Sequence, residues 1–131
     1  MSALVVVNPR SGGGRTKREW RRIERALEDV YPNMSVVMTR RRGEATALVR
    51  QALLEGCSEV VAVGGDGTIN EAVNGFFVED GPVSPDAVFA FVTSGTGGDF
   101  RKSFGIAPGY EAAIARLKSA KVRTIDVGRV S

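Results

Sequence analysis

The sequence predicts an α/β fold in which a parallel sheet is flanked by helices. Two observations carry this prediction. Short β-branched runs such as Ala3–Val7 alternate with segments whose apolar residues recur at three- and four-residue spacing. Ala3–Val7 is apolar at every position rather than at alternate ones, which is typical of a parallel strand buried between two layers of helices.

Each predicted element follows from a local pattern. Trp20, Ile23 and Leu27 form the apolar stripe of the first helix, which Pro32 ends. The strands are short apolar runs bounded by Gly, Pro or polar residues. In chain order we predict a strand at 3–7, a helix at 16–30, a strand at 35–39, a helix with apolar positions from 45 to 53 that Gly56 ends, a strand at 59–63, a helix at 68–77, a strand at 87–92, a helix at 110–120 and a strand at 122–127.

Composition excludes several classes of chemistry. The chain has 131 residues, no histidine and one cysteine. A Ser-His-Asp triad, a His-ligated metal and an internal disulfide are therefore excluded. Any catalysis must use carboxylates, hydroxyls, backbone dipoles and basic side chains. No secretory signal is evident and no apolar run reaches the ~20 residues of a membrane span, so we expect a cytoplasmic protein.

Positive charge is concentrated in the first half of the chain. Residues 1–56 hold 11 Lys and Arg against 6 Asp and Glu. Many of these basic residues lie in the predicted first helix. Two interpretations of its basic face remain open, a solvated surface or a contact with anionic lipid headgroups. Nucleic acid is not expected as a partner, because aromatic residues are few and are not interleaved with the charges. The basic residues of the first helix are Arg15, Lys17, Arg18, Arg21, Arg22 and Arg25.

Three glycine-rich loops follow separate predicted strands. They read N-P-R-S-G-G-G at 8–14, G-G-D-G-T at 64–68 and S-G-T-G-G-D-F at 94–100. Consecutive glycines let backbone N–H groups converge on an anion, and the following helix adds its positive end. Because the carboxyl ends of parallel strands share one edge of the sheet, we expect the three loops to lie along one rim. Such a rim suits a polyphosphate with its magnesium ion.

The second loop has the most specific pattern. Gly64 and Gly65 are expected to let the backbone approach a ligand, and Thr68 to cap the next helix with its hydroxyl facing phosphates. Asp66 is an acid in a loop whose dipoles attract anions, so we expect it beside a cation or a hydroxyl. The chain has no lysine-bearing phosphate loop and no G-x-G-x-x-G in its first strand-to-helix turn.

These motifs resemble the catalytic domain of diacylglycerol kinases and related bacterial lipid kinases, a family that includes sphingosine and ceramide kinases. The matching residues are Asn8-Pro-x-Ser-Gly, Gly64-Gly-Asp-Gly-Thr-x-Asn-Glu and Gly95-Thr-Gly-x-Asp-Phe. The resemblance covers essentially the whole chain. It implies that residues 1–131 are an N-terminal nucleotide-binding domain, similar to that of NAD kinases and phosphofructokinases. Residues 122–131 are then expected to lead into a C-terminal β-rich domain.

The resemblance also implies a reaction, the transfer of the γ-phosphate of ATP to a lipid hydroxyl such as that of diacylglycerol. Its cofactors are ATP and Mg²⁺, and Asp66 and Asp99 are the implied catalytic residues. Asp66 joins a magnesium-linked water network that extends to Asp126. The family's general base belongs to the C-terminal domain, so the chain alone is expected to be inactive. The implied nucleotide contacts are Asn8, Pro9, Arg10, Ser11, Gly12, Thr39, Gly64, Gly65, Asp66, Gly67, Thr68, Ile69, Asn70 and Thr96.

Two other functions remain open at this point, an NAD-kinase-like kinase of a soluble substrate and a non-catalytic nucleotide-binding module. Gly-Gly-Asp-Gly also occurs in NAD kinases, whereas the first and third motifs favour the lipid kinases. Gly98 departs from the family pattern, which usually has Asn there. The expected partners are ATP and a lipid substrate at the inner face of the membrane, to which the protein is peripheral. A homodimer is left open.

Overall fold

The computed structural model describes residues 3–79 and 81–92. The predicted helix at 110–120, the predicted strand at 122–127 and the third glycine-rich loop lie outside these residues. The described elements are β1 (Ala3–Val7), a 3-10 turn (Ser11–Gly14), α1 (Arg15–Val30), β2 (Ser35–Met38), α2 (Glu44–Leu54), β3 (Glu59–Val63), α3 (Asp66–Asn74), β4 (Phe77–Val78), β5 (Gly81–Pro82) and β6 (Val88–Val92).

Four strands form one parallel sheet in the order β2-β1-β3-β6. From β1 the chain moves to β2 on one side, and from β2 it crosses back to β3 on the other side of β1. The order therefore reverses between β1 and β3. In open α/β sheets, ligands bind outside the carboxyl ends of the strands at such a switch point. The topology thus singles out the loops that follow β1 and β3.

The helices cover both faces of the sheet, which confirms the predicted α/β fold class. Crossovers that run in opposite directions place their helices on opposite faces, because parallel connections share one hand. Ile23 and Leu27 of α1 pack on the face that includes Val5, Val7 and Val61. Helices α2 and α3 pack on the other face, with Ala45, Val49, Leu53, Ile69, Ala72 and Val73 against Val6, Val60, Ala62 and Phe91.

Helices α2 and α3 approach each other closely at Gly75. A side chain there would place its Cβ 2.7 Å from the Val49 Cβ and 2.8 Å from the Thr46 carbonyl oxygen. Glycine removes that obstruction. Helix α2 begins after the loop that follows β2, and α3 begins after the loop that follows β3. The contact between the two helices therefore fixes the spacing of those loops.

Helix α3 differs from the prediction of a helix at 68–77. It begins at Asp66 and ends at Asn74. At the C-terminal end of α3, the guanidinium of Arg50 in α2 donates hydrogen bonds to the carbonyl oxygens of Asn74 (3.1 Å) and Phe77 (2.8 Å). The chain then forms the two-residue strands β4 and β5, which are too short to produce an alternating pattern in the sequence.

Among the described helices, none has the length and apolar character that crossing a bilayer requires.

Candidate functional site

The loops after β1, β2 and β3 lie side by side along one rim of the sheet. Each begins with a residue whose N–H continues the strand pairing. Thr39 donates to the last carbonyl of β1 (2.8 Å), Asn8 to the last carbonyl of β3 (2.9 Å) and Gly64 to the last carbonyl of β6 (3.1 Å). The first two glycine-rich loops therefore share the predicted rim. Strand β6 ends at this rim too, although the loop at 94–100 lies outside the described residues.

Asn8 and Ser11 shape the first loop. The Asn8 side-chain oxygen accepts the Arg10 N–H at 3.0 Å, and the Asn8 carbonyl oxygen accepts the Ser11 hydroxyl at 2.8 Å. The Ser11 hydroxyl also pairs with the hydroxyl of Thr16, which is fully buried. The Pro9 carbonyl oxygen accepts the Lys17 N–H at 3.2 Å. These side chains hold a turn, and Arg10 is left exposed beside it.

The glycine run of this loop adopts a backbone that other residues resist. Gly12, Gly13 and Gly14 have φ of +64°, +66° and +89°. Left-handed conformation costs an L-residue roughly 1–2 kcal/mol. The sequence pattern of three glycines is therefore explained by local geometry. The turn is closed by its own backbone, because the Gly14 N–H bonds the Arg10 carbonyl oxygen at 3.1 Å and the Arg15 N–H bonds those of Ser11 and Gly12.

The first turn of α1 adds positive charge to a terminus that is already positive. It contains no acidic residue, and Arg15, Lys17 and Arg18 are all exposed. Cations at a helix N-terminus are unfavourable by roughly 0.3–1 kcal/mol each, because the helix dipole repels them. Glu19 offsets Arg15 through an ion pair of 2.9 Å. An anion bound at this terminus would reverse the remaining cost, so the geometry fits a phosphate group.

The second loop places one acidic side chain on the rim. Gly65 precedes α3 with extended backbone (φ −93°, ψ −171°), and Asp66 is the first residue of the helix. Asp66 is exposed, and its side chain has no hydrogen-bond or ion-pair partner among the residues that the structure describes. Magnesium is usually held by one or two carboxylates together with substrate phosphates. A free carboxylate beside an anion-attracting rim fits that donor set.

Thr68 differs from its expected role. The residue that caps α3 is Gly65, no side chain in the described part of the chain caps the helix, and Thr68 lies inside it. The Thr68 side chain is buried, and a Cβ at Gly64 would lie 2.8 Å from its Oγ1 and 2.9 Å from its Cβ. The predicted hydroxyl cap is therefore wrong. Gly64 is glycine because Thr68 packs on its backbone, and this contact sets the angle at which α3 leaves β3.

Other expected contacts fall into four groups. Ile69 is a core residue with 1% exposure, and its N–H is bonded to the Gly65 carbonyl oxygen at 3.1 Å. Its contact with the nucleotide stays a prediction. Thr39 is buried on the rim, where its hydroxyl lies 3.3 Å from the Val7 carbonyl oxygen. Gly67 and Asn70 are exposed on the first turns of α3. Thr96, Asp99 and Asp126 lie outside the described residues.

Sequence reasoning assigned no role to Glu71, Gly75 or Arg50. All three mediate the contact between α2 and α3. Glu71 accepts the Gly43 N–H at 3.0 Å across 28 positions of sequence. One signal in the sequence points to such a partner, because Gly43 starts α2 without the Ser, Thr, Asp or Asn that normally caps a helix.

Tyr31 lies away from this rim, near the amino ends of the strands. Burial, with a hydrogen bond to Glu59, raises the pKa of its phenol well above the usual range. This hydrogen bond joins the segment after α1 to Glu59, the first residue of β3, at the amino end of the sheet.

The chain is similar to known proteins over nearly its whole length. Residues 2–130 match the family model described as the diacylglycerol kinase catalytic domain. A diacylglycerol kinase of Bacillus subtilis (strain 168) is 30% identical over 131 residues, which are 98% of this chain and 42% of the relative. A diacylglycerol kinase of Staphylococcus aureus (strain MRSA252) is 30% identical over 129 residues, 98% of this chain and 40% of the relative.

A solved structure shows the same fold. The crystal structure of a diacylglycerol kinase from Bacillus anthracis str. Sterne superposes with a TM-score of 0.75 at 24% identity, covering 90% of this chain and 42% of that chain. The chain therefore spans about two fifths of the length of the relatives that it matches.

Proposed function

Because the chain belongs to the family of diacylglycerol kinase catalytic domains, we propose that it is the nucleotide-binding part of an ATP-dependent lipid kinase. The reaction moves the γ-phosphate of ATP to a lipid hydroxyl, with that of diacylglycerol as the expected acceptor. One observation carries the proposal. The free carboxylate of Asp66 lies on the same rim as the glycine run that opens the basic helix α1.

The residues of the rim have separable roles in this proposal. Phosphoryl transfer depends on positioning and on neutralising phosphate charge, with little covalent work for the protein. The glycine run and the positive end of α1 attract phosphate oxygens, with Arg10 and Arg15 exposed beside them. Asp66 would hold Mg²⁺, which supplies further charge neutralisation when bound. Thr96, Asp99 and Asp126 complete the proposed site on the family resemblance.

The acceptor side fits a membrane surface, and we place the protein at its cytoplasmic face. Lys17, Arg18, Arg21, Arg22 and Arg25 are exposed along α1, opposite the stripe of Ile23 and Leu27 that contacts the sheet. A basic residue near an anionic membrane surface contributes about 1 kcal/mol. The exposed face of α1 is therefore the proposed contact with anionic lipid headgroups.

A transfer assay tests the proposal against its alternatives. The full-length protein that contains these 131 residues is incubated with radiolabelled Mg·ATP and either diacylglycerol in anionic vesicles or NAD. We expect labelled phosphatidic acid and no labelled NADP. Labelling of NAD alone would favour the soluble-substrate kinase and overturn the lipid assignment. Binding of Mg·ATP without transfer to either acceptor would favour a non-catalytic module.

A further inference from the structure

An arginine-rich turn, residues 39–43, lies on the rim beside the two glycine-rich loops. Its first residue is anchored to β1, because Thr39 directs both its N–H (2.8 Å) and its Oγ1 (3.3 Å) at the Val7 carbonyl oxygen. The Arg40 N–H is held by the Glu44 side chain at 3.0 Å. Three arginines, 40–42, follow one another in the turn, and all are exposed. The turn is therefore a compact positive feature with one end fixed.

Glu71 of α3 fixes the other end. Gly43, at φ +86°, is the residue that caps α2, and it has no side chain to bond the turn. The Glu71 Oε1 accepts the Gly43 N–H at 3.0 Å. The Glu71 carbonyl oxygen also accepts the Thr46 hydroxyl at 2.8 Å. Both links join the start of α2 to a helix that begins with Asp66.

We propose that Glu71 is a positioning residue, which acts through Gly43 to hold the arginine-rich turn at a fixed distance from Asp66. The inference rests on the proposed nucleotide site. Arginine side chains are long and lose considerable rotamer freedom when they bind, so a fixed backbone lowers the cost of engaging an anion. Without the Glu71 bond, Thr39 and Glu44 are the remaining restraints on the turn among the described residues, and its backbone samples a wider range of positions.

Two readouts test this role. The first is amide hydrogen exchange at Gly43 in the nucleotide-free chain, followed by NMR. The second is the Kd for Mg·ATP, measured by calorimetry. Glu71→Ala is expected to abolish protection at Gly43 and to raise the Kd about tenfold. Glu71→Gln keeps an acceptor oxygen, so we expect protection to persist and the Kd to stay within about threefold of the unmodified chain.

Two control variants separate the bond from charge and from packing. Glu55→Ala removes an exposed carboxylate from the opposite end of α2 and is expected to leave both readouts unchanged. Thr46→Val removes the hydroxyl link while the Gly43 bond remains, so Gly43 is expected to stay protected. If Glu71→Ala fails to fold, Glu71→Leu, which removes the acceptor oxygens and keeps most of the side-chain volume, gives the comparison with Glu71→Gln.

The outcomes distinguish this inference from the proposed function. Persistent protection at Gly43 in Glu71→Ala would overturn it, because the bond would then not hold the turn. An equal rise of the Kd in Glu71→Gln and Glu71→Ala, with Gly43 protected in the former, would show that the carboxylate itself contacts the nucleotide and would also overturn it. Absence of Mg·ATP binding to the unmodified chain would instead refute the nucleotide site, while hydrogen exchange would still report on the bond.

Discussion

Replacement of Gly75 by alanine tests the close approach of α2 and α3. The new Cβ would lie 2.7 Å from the Val49 Cβ, 2.8 Å from the Thr46 carbonyl oxygen and 2.8 Å from the Val49 Cγ1. Ordinary carbon contacts are about 3.5–4.0 Å, so the helices must separate by up to about 1 Å. The Val49 Cβ and the Thr46 carbonyl oxygen are fixed to the backbone of α2 and cannot rotate away. Overpacking typically lowers the free energy of unfolding by roughly 1–3 kcal/mol, and we therefore expect a loss near the upper end of that range.

The backbone of Gly75 adds no strain of its own. Its φ of −65° and ψ of −20° suit alanine, whose helix propensity returns roughly 0.5–1 kcal/mol. We therefore expect Gly75→Ala to lower the free energy of unfolding by about 2 kcal/mol, which corresponds to a fall in Tm of the order of 10 °C. Urea and thermal denaturation, followed by circular dichroism, measure both quantities.

Gly67→Ala is the matched control at the other end of α3. Gly67 lies in the exposed first turn of the helix, and a Cβ there would meet no atom of the described residues within 4 Å. The substitution is expected to stabilise the chain by roughly 0.5 kcal/mol or more. Opposite signs at the two glycines are the expected result. Equal stability of Gly75→Ala and the unmodified chain would refute the packing argument.

Two further predictions concern α1 and the loop before it. Simultaneous replacement of Arg21, Arg22 and Arg25 by Glu is expected to reduce cosedimentation with anionic vesicles at least tenfold. The Kd for Mg·ATP is expected to stay unchanged, because these side chains lie beyond the first turn of the helix. Unchanged cosedimentation would exclude α1 as the membrane contact. Gly13→Val is expected to lower the free energy of unfolding by roughly 1–2 kcal/mol in urea denaturation, because φ is +66° there. A Cβ at Gly13 would meet no atom of the described residues within 4 Å, so full stability of this variant would contradict the left-handed backbone.

The sheet and the first two helices could be predicted because their signals are local. Strand β1 is apolar throughout, β3 is an apolar, Val-rich run after Glu59, and α1 has an apolar stripe that matches the helical period. The switch point between β1 and β3 required the strand order, which the sequence does not state. Two of the three glycine-rich loops were nevertheless placed on one rim correctly, because they follow parallel strands.

The roles of individual residues in the second loop were harder to predict. Threonine is a common helix cap, so a pattern alone favours Thr68 in that position. Tertiary packing decides otherwise, because Gly64 leaves room for the Thr68 side chain beneath the backbone. Glu71 and Gly75 matter through contacts with α2 that join residues more than 20 positions apart. Such contacts depend on how two helices pack, and the residue pattern of a single helix does not predict that packing.

Binding of Mg·ATP to the unmodified chain, to Asp66→Asn and to Asp86→Asn tests the nucleotide site most directly. Both variants remove one exposed negative charge, but Asp86 lies before β6, at the opposite edge of the sheet from Asp66. If Asp66 holds the magnesium of the nucleotide, calorimetry will show a Kd at least about tenfold higher for Asp66→Asn and an unchanged Kd for Asp86→Asn. Equal affinities for Asp66→Asn and the unmodified chain would contradict the account.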